Sequence, residues 1–363
     1  MTLIIFYVFI AATAVQLFYF LFFFVRILFA RPVIASCNKG VSVVVAAHNE
    51  YKNLIKLIPA LLNQDYPDFE IIITNDRSTD KTLEVLDHYP TIKVITINST
   101  PKGINPKKYA LTKAIECATK EVILLTDADC LPLSNRWIKS MAEGFTEGKE
   151  IVLGYSPYEE QPYDFLNELI RYETFYTGVQ YLSFALAGFP YMGVGRNLAY
   201  KKELFVKNNG FKSHEGITGG DDDLLINEVA TKTNVGVVFS PQSRVVSYPK
   251  DTYKGWISQK TRHLSAGRHY KFKNKVLIGV LAVSLVLFYL GTVYFSINNY
   301  SSPFIITLFL FRTSVLICSF AFISRKLGDN FNPLLFPVLD FVYAINYIFL
   351  GIRALRKNDN KWM

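Results

Sequence analysis

Cysteine is scarce in this 363-residue chain, and its four residues, Cys37, Cys117, Cys130 and Cys318, stand far apart. That scatter excludes a disulfide framework and the paired spacings of a zinc site, and it fits a reducing compartment. Charge is thin too, at 19% of residues against 50% apolar and 15% aromatic. No internal repeat and no low-complexity tract is visible, which excludes repeat arrays. Acid falls short of base, with 30 Asp and Glu against 39 Lys and Arg and a net charge of +9. Such an excess could bind nucleic acid. The basic residues cluster beside long apolar segments instead, so anionic membrane lipids and the phosphates of a substrate are the expected partners, and nucleic acid is not.

What is abundant is apolar sequence, concentrated at the two ends. Leu3 to Val25 is long enough to cross a bilayer. No Lys or Arg precedes it and Arg26 and Arg31 follow, so the N-terminus is expected outside and the next domain in the cytoplasm. Without a basic start or a convincing cleavage site it reads as an uncleaved anchor. Three more apolar stretches lie near Val276–Ile297, Pro303–Ser324 and Leu334–Ile352. Lys271, Lys273 and Lys275 mark the cytoplasmic side of the first, and Arg325 and Lys326 that of the second. The third carries Pro333, Pro337 and Asp340 and is followed by Arg353, Arg356 and Lys357, so a crossing and a surface-lying helix both stay open. Arg312, inside the second, is costly in lipid and should face protein or snorkel. The expected division is a transmembrane anchor over 1–30, an α/β domain over 38–250, a basic interfacial helix over 251–275, and a membrane region of two to three spans over 276–363. That describes a multi-pass protein of a bacterial inner membrane.

Between Val41 and Lys275 short apolar runs alternate with helical spacing. Strands are expected at Val41–Ala47, Phe69–Thr74, Ile92–Ile97 and Val122–Leu125. Helices are expected at Glu50–Leu62, at Thr79–Asp87 with Ser78 or Thr79 as cap, and at Lys107–Cys117. Such alternation predicts a Rossmann-like, mostly parallel sheet with helices on both faces. A longer helix, Tyr163–Leu186, carries an apolar face that suits either core packing or a bilayer surface.

Polar clusters follow the strands. Asp127-Ala128-Asp129 closes the run Val122–Leu125, and two acids one residue apart at a strand end can turn toward one Mg2+ or Mn2+; a solvated turn is the plainer alternative. Gly219-Gly220-Asp221-Asp222-Asp223 opens a helix, where the acids either favour its N-terminus or raise one another's pKa to make a proton acceptor. Lys107 and Lys108 follow Pro106 at a helix start, where Lys108 is expected to be solvated.

VSVVVAAHNE, NDRSTD, DAD, GRNLAY, GGDDDL and QKTRH, in that order over Val41 to His269, resemble a membrane-bound family 2 glycosyltransferase with a GT-A fold. Ceramide glucosyltransferases and the poly-N-acetylglucosamine, hyaluronan and cellulose synthases belong to the same group. The resemblance implies that Ala47, Asn49, Glu50 and Asp76 hold the base and ribose of a nucleotide-sugar donor, with Lys107 and Asp127 near the nucleotide. Asp127 and Asp129 become the Mg2+ or Mn2+ ligands. Gly195 and Asn197 line the diphosphate or acceptor. One of Asp221, Asp222 and Asp223 is the general base, Asp222 on the Gly-Asp-Asp match. Gln259 and Arg262 would contact the diphosphate, and His263 stands where the family has Trp, beneath the acceptor.

The implied activity is inverting transfer from a UDP-sugar to a lipid or lipid-linked glycan. A processive polysaccharide synthase with a small membrane partner subunit is a second possibility, and a non-catalytic, membrane-anchored nucleotide-sugar binding protein a third.

Overall fold

The computed structural model describes residues 2–31, 39–298, 300 and 302–356; Cys37 and Lys357 lie outside them. Four strands, β1 (Val41–Ala47), β2 (Phe69–Asp76), β3 (Lys93–Ile97) and β4 (Val122–Leu125), form parallel neighbours in the order β3-β2-β1-β4, with β3 the more exposed edge. The helices Tyr51–Leu62, Thr82–Asp87 and Pro106–Cys117 connect them. Val43, Val45, Ile71, Ile73, Val122 and Leu124 form part of the core with Leu57 and Trp137. After β3 the chain returns to the far side of β1. Strand order reverses there, at the β1/β4 boundary, where doubly wound sheets open a crevice for ligands.

Five short strands complete the unit: β5 (Cys130–Pro132), β6 (Ile151–Gly154), β7 (Leu198–Lys201), β8 (Val235–Val238) and β9 (Val245–Ser247). The main sheet continues β4-β7-β6-β8, antiparallel at β4/β7 and β7/β6 and parallel at β6/β8, while β5 and β9 pair separately. The seven-stranded sheet is thus mostly parallel, as expected.

Leu198–Lys201, which includes the end of the GRNLAY motif, is a strand, because it fills the gap between β4 and β6 and buries Leu198, Ala199 and Tyr200. One local expectation is corrected. The second connecting helix begins at Thr82 rather than Thr79. Ser78 and Thr79 cap nothing and instead hydrogen-bond to Asn49.

A second unit gathers the helices Thr2–Phe29, Phe165–Leu186, Tyr253–Ala266, Phe272–Ile297, Pro303–Leu327 and Phe336–Arg356. Four of its helical stretches, Thr2–Phe29, Phe272–Ile297, Pro303–Leu327 and Pro333–Arg353, are long and apolar enough to cross a membrane. Phe165–Leu186 packs among them, buried round most of its circumference including Asn167, Arg171 and Gln180, so core packing accounts for its apolar face. Arg312 and Asp340 are fully buried and paired, Nη1 to Oδ2 at 2.6 Å. Nη2 of Arg312 also donates to Gln16 Oε1 at 2.8 Å, and Tyr172 and Tyr289 donate to the two Asp340 oxygens at 2.9 and 2.7 Å. Arg312 therefore faces protein as expected. Asp340, which counted against the last apolar stretch, is its counter-ion.

Candidate active site

The end of β1 and the loop after β2 are tied together by one asparagine. Asn49 takes a left-handed backbone, φ 58°, which Asn tolerates better than most residues. Its Oδ1 accepts from the backbone amides of Thr79 at 2.8 Å and Asp80 at 3.3 Å, and its own amide donates to Ser78 Oγ at 3.0 Å. Next to it the Glu50 amide donates to Thr82 Oγ1, and the Glu50 carboxylate accepts from Asn53 at 2.6 Å. Asp76, buried at the end of β2, accepts from Nε and Nη2 of Arg77 at 2.7 and 3.1 Å. Ala47 and Asn75 are register partners, so Ala47, Asn49, Glu50 and Asp76 share one sheet edge.

β4 delivers Asp127 and Asp129 to the same edge of the parallel strands. Ala128 between them is buried and both acids are half-buried, which turns the two carboxylates outward. Ligand atoms of Asp127, Asp129 and Cys130 lie within 4.8 Å of one another. Cys130 Sγ packs 2.9 Å from Ser247 Oγ, and burial pushes its thiol far up, aided by the charges of Asp129 and Asp127. It is therefore a neutral thiol, which leaves the two carboxylates as an oxygen pair that could hold a hard divalent cation.

Lys107 links this pair to the third motif. From the start of the helix Pro106–Cys117, its Nζ lies 2.9 Å from Asp127 Oδ1 and 2.9 Å from Asp221 Oδ2. Burial works against its charge, but Asp127, Asp221 and Asp222 outweigh burial and hold the ammonium well above its ordinary pKa. Lys108 is not solvated. It is buried, its Nζ donates to the carbonyls of His214 and Ile217, and burial pushes its pKa down to about 8. The cause is local: the segment before Gly219 folds over the helix start and needs a donor for its inward carbonyls.

The three consecutive acids separate by environment. Gly219 and Gly220 take φ 78° and 79°, values that side chains resist, and so aim the acids into the site. Burial alone would raise the Asp221 carboxyl; the Lys107 ammonium overrides it and holds the group below the usual range. Asp223 is buried and caps Leu224 N. Asp222 accepts from Asp223 N at 2.7 Å and from Gly195 N at 2.6 Å. Its carboxyl is pushed up to about 6, by burial first and then by the charge of Asp221. A Cβ on Gly195 would lie 3.3 Å from Asp222 Oδ2, so the small residue permits the close approach.

Asn197, expected beside the diphosphate or acceptor, commits its side chain to the fold instead. Fully buried, it donates to the carbonyls of Tyr155 and Ser243 at 2.9 and 2.7 Å and accepts from Trp137 Nε1 at 2.9 Å. Gln259, Arg262 and His263 lie in the helical unit, on one face of Tyr253–Ala266. Trp256, Lys260, Thr261 and Ser265 of that helix are buried, with Lys260 paired to Glu173. Ala47, Asn49, Glu50, Asp76, Lys107, Asp127, Asp129 and Asp221 to Asp223 thus share the sheet unit. Arg196 was passed over, although the GRNLAY motif contains it.

Residues 42–207 match the model of glycosyl transferase family 2. The chain carries a family 2 glycosyltransferase domain. A probable glycosyltransferase of Bacillus subtilis, YdaM, is 26% identical over 298 residues, covering 74% of this chain and 66% of that protein. A 4,4'-diaponeurosporenoate glycosyltransferase of Staphylococcus aureus is 25% identical over 122 residues, 33% of this chain and 32% of that protein. The chain therefore spans less than two thirds of the length of either relative. Among solved structures, a mannosyltransferase of Pyrobaculum calidifontis in complex with GDP-Man and Mn2+ superimposes with a TM-score of 0.64 at 19% identity, covering 98% of both chains. That likeness establishes the GT-A fold.

Proposed function

We propose that this glycosyltransferase transfers a sugar from a nucleotide sugar, a UDP-sugar first, to a membrane-associated lipid or lipid-linked glycan, with inversion. The observation that carries this reading is the Lys107 bridge: one ammonium joins Asp127 and Asp221, so motifs far apart in sequence meet at the sheet edge where α/β folds bind ligands. Ala47, Asn49, Glu50 and Asp76 take the base and ribose, and Lys107 faces the nucleotide's charge. The oxygen pair Asp127 and Asp129 fits Mg2+ or Mn2+, and the Pyrobaculum enzyme was captured with Mn2+. Bound there, the cation would supply Lewis-acid neutralisation of the diphosphate.

Asp222 is the base. Two backbone amides orient it, and a pKa of about 6 leaves it ionised at neutral pH yet able to take a proton. It removes the acceptor hydroxyl proton as the oxygen bonds to the anomeric carbon. The bond from that carbon to the diphosphate breaks, and its electron pair leaves with the nucleotide. The family resemblance alone assigns Gln259, Arg262 and His263 to the diphosphate and acceptor. Four apolar helices fit a multi-pass protein with this domain on the cytoplasmic side and an acceptor drawn from the membrane.

The test is a donor screen with purified protein in native lipid, UDP- and GDP-sugars with Mn2+, followed by mass analysis of the lipid fraction. One added sugar on a lipid is expected. A polymer ladder would favour a processive synthase, and no transfer from any donor would reject the reading.

A further inference from the structure

Arg196 sits at the centre of the 3-10 turn Gly195–Asn197, which closes the glycine-rich loop Gly193–Asn197, with its backbone fixed on both sides. Gly195 before it donates to Asp222, and Asn197 after it is held by Trp137, Tyr155 and Ser243. Its guanidinium carbon lies 4.5 Å over the ring of Tyr158. Arg196 thus follows the residue that holds Asp222, and its ring partner Tyr158 pairs with Ser247, which packs on Cys130 next to Asp129. Burial opposes the charge of Arg196, and the ionisable groups around it, Asp127 and Asp129 among them, more than offset that opposition. Nη1 is buried and has no hydrogen-bond partner among the described residues. A buried guanidinium nitrogen rarely goes unpartnered in a native protein, and its strongest partner is an oxyanion.

The chemistry of transfer says which oxyanion. The base acts where the acceptor oxygen meets the anomeric carbon, and that carbon is bonded to an oxygen of the donor's second phosphate. Arg196 is one residue from Gly195, which touches the base. We propose that Arg196 binds the second phosphate of the donor and holds it as the nucleoside diphosphate departs. This rests on the glycosyl-transfer reading. The acceptor oxygen–carbon bond forms, the carbon–oxygen bond to the phosphate breaks, and the electron pair stays on the phosphate oxygen that Arg196 faces. The acceptor proton goes to Asp222. A guanidinium suits this task because its planar fork matches two phosphoryl oxygens. The competing role is a bare counter-ion for Asp127 and Asp129.

Binding of UDP and UMP, and of GDP and GMP, to the full chain in lipid nanodiscs with Mn2+ separates these roles. Wild type should bind one diphosphate about 30-fold more tightly than its monophosphate, and Arg196→Gln should cut that preference to about threefold, the loss of one charge-assisted phosphate contact. Arg196→Lys should fall between them, with an unchanged unfolding temperature. Should Arg196→Gln fail to fold, the lysine variant carries the comparison, and a wild-type preference in it overturns the proposal. A preference unchanged in Arg196→Gln, with tighter Mn2+ binding, makes Arg196 a counter-ion only. An unchanged preference with lost transfer to a phosphorylated acceptor moves its phosphate to the acceptor. Either result overturns the proposal while leaving glycosyl transfer standing. Wild type that binds neither nucleotide pair overturns both readings.

Discussion

Asp222 carries a charge at neutral pH that its surroundings resist. Its pKa of about 6 in the fold lies above the ordinary 3.9 of an unfolded aspartate, so the native state takes up the proton first as pH falls. The sign follows: ionised Asp222 lowers stability above pH 6, and the penalty disappears between about 6 and 4. Asp222→Asn removes that charge but keeps an acceptor for only one of the amides of Gly195 and Asp223, so its stability relative to wild type should be about 1 kcal/mol better at pH 7.5 than near pH 4. Thermal unfolding at the two pH values checks this; equal differences from wild type at both would contradict it. In the active enzyme kcat/KM should rise about tenfold per pH unit below 6 and level off above it. Lys107 lowers the pKa of the base through its charge. Lys107→Met should move the acidic limb of that profile to higher pH by about one unit and cut kcat more than tenfold. A limb that stays in place would remove Lys107 from the base's electrostatics. The acid motifs were legible because Asp-Ala-Asp and Gly-Gly-Asp-Asp-Asp are compact in sequence. The fates of Lys108 and Asn197 were not, since each depends on carbonyls from segments dozens of residues away.

At the scale of elements, the glycine-rich loop and β7 are held from behind. Asn197→Ala would remove the acceptor of the Trp137 indole and the donor to the carbonyls of Tyr155 and Ser243, and should cost about 3 kcal/mol. An unfolding midpoint equal to wild type would contradict that accounting. β1, β2 and β4 could be read from sequence because each carries an apolar run buried on both faces as parallel strands are, and β3, more exposed, from the alternation of short apolar runs with helical spacing. β5 to β9 escaped for the converse reason. They are three or four residues long, flanked by turns, and formed by pairings that local periodicity does not encode.

Across the helical unit one buried ion pair does what composition argued against. Arg312 and Asp340 stand on different helices, joined by Gln16, Tyr172 and Tyr289 from three others. Removing either charge strands the other in an apolar surround, so Arg312→Gln or Asp340→Asn should each cost about 3 kcal/mol or more. The double variant should cost less than the sum, and denaturation in detergent of the four proteins measures it. Strict additivity would deny the pairing. The sequence could say only that Arg312 must face protein; its partner lies 28 residues on.

The central claim is that acids from separate motifs meet in one transfer site, with Asp222 as the proton acceptor. Its most direct test is one paired measurement on Asp222→Asn, in native lipid with Mn2+: affinity for the donor nucleotide and turnover of the donor sugar. The expected result is wild-type nucleotide affinity with transfer reduced at least about a hundredfold, the usual scale for a lost general base. Transfer within a few-fold of wild type would contradict it.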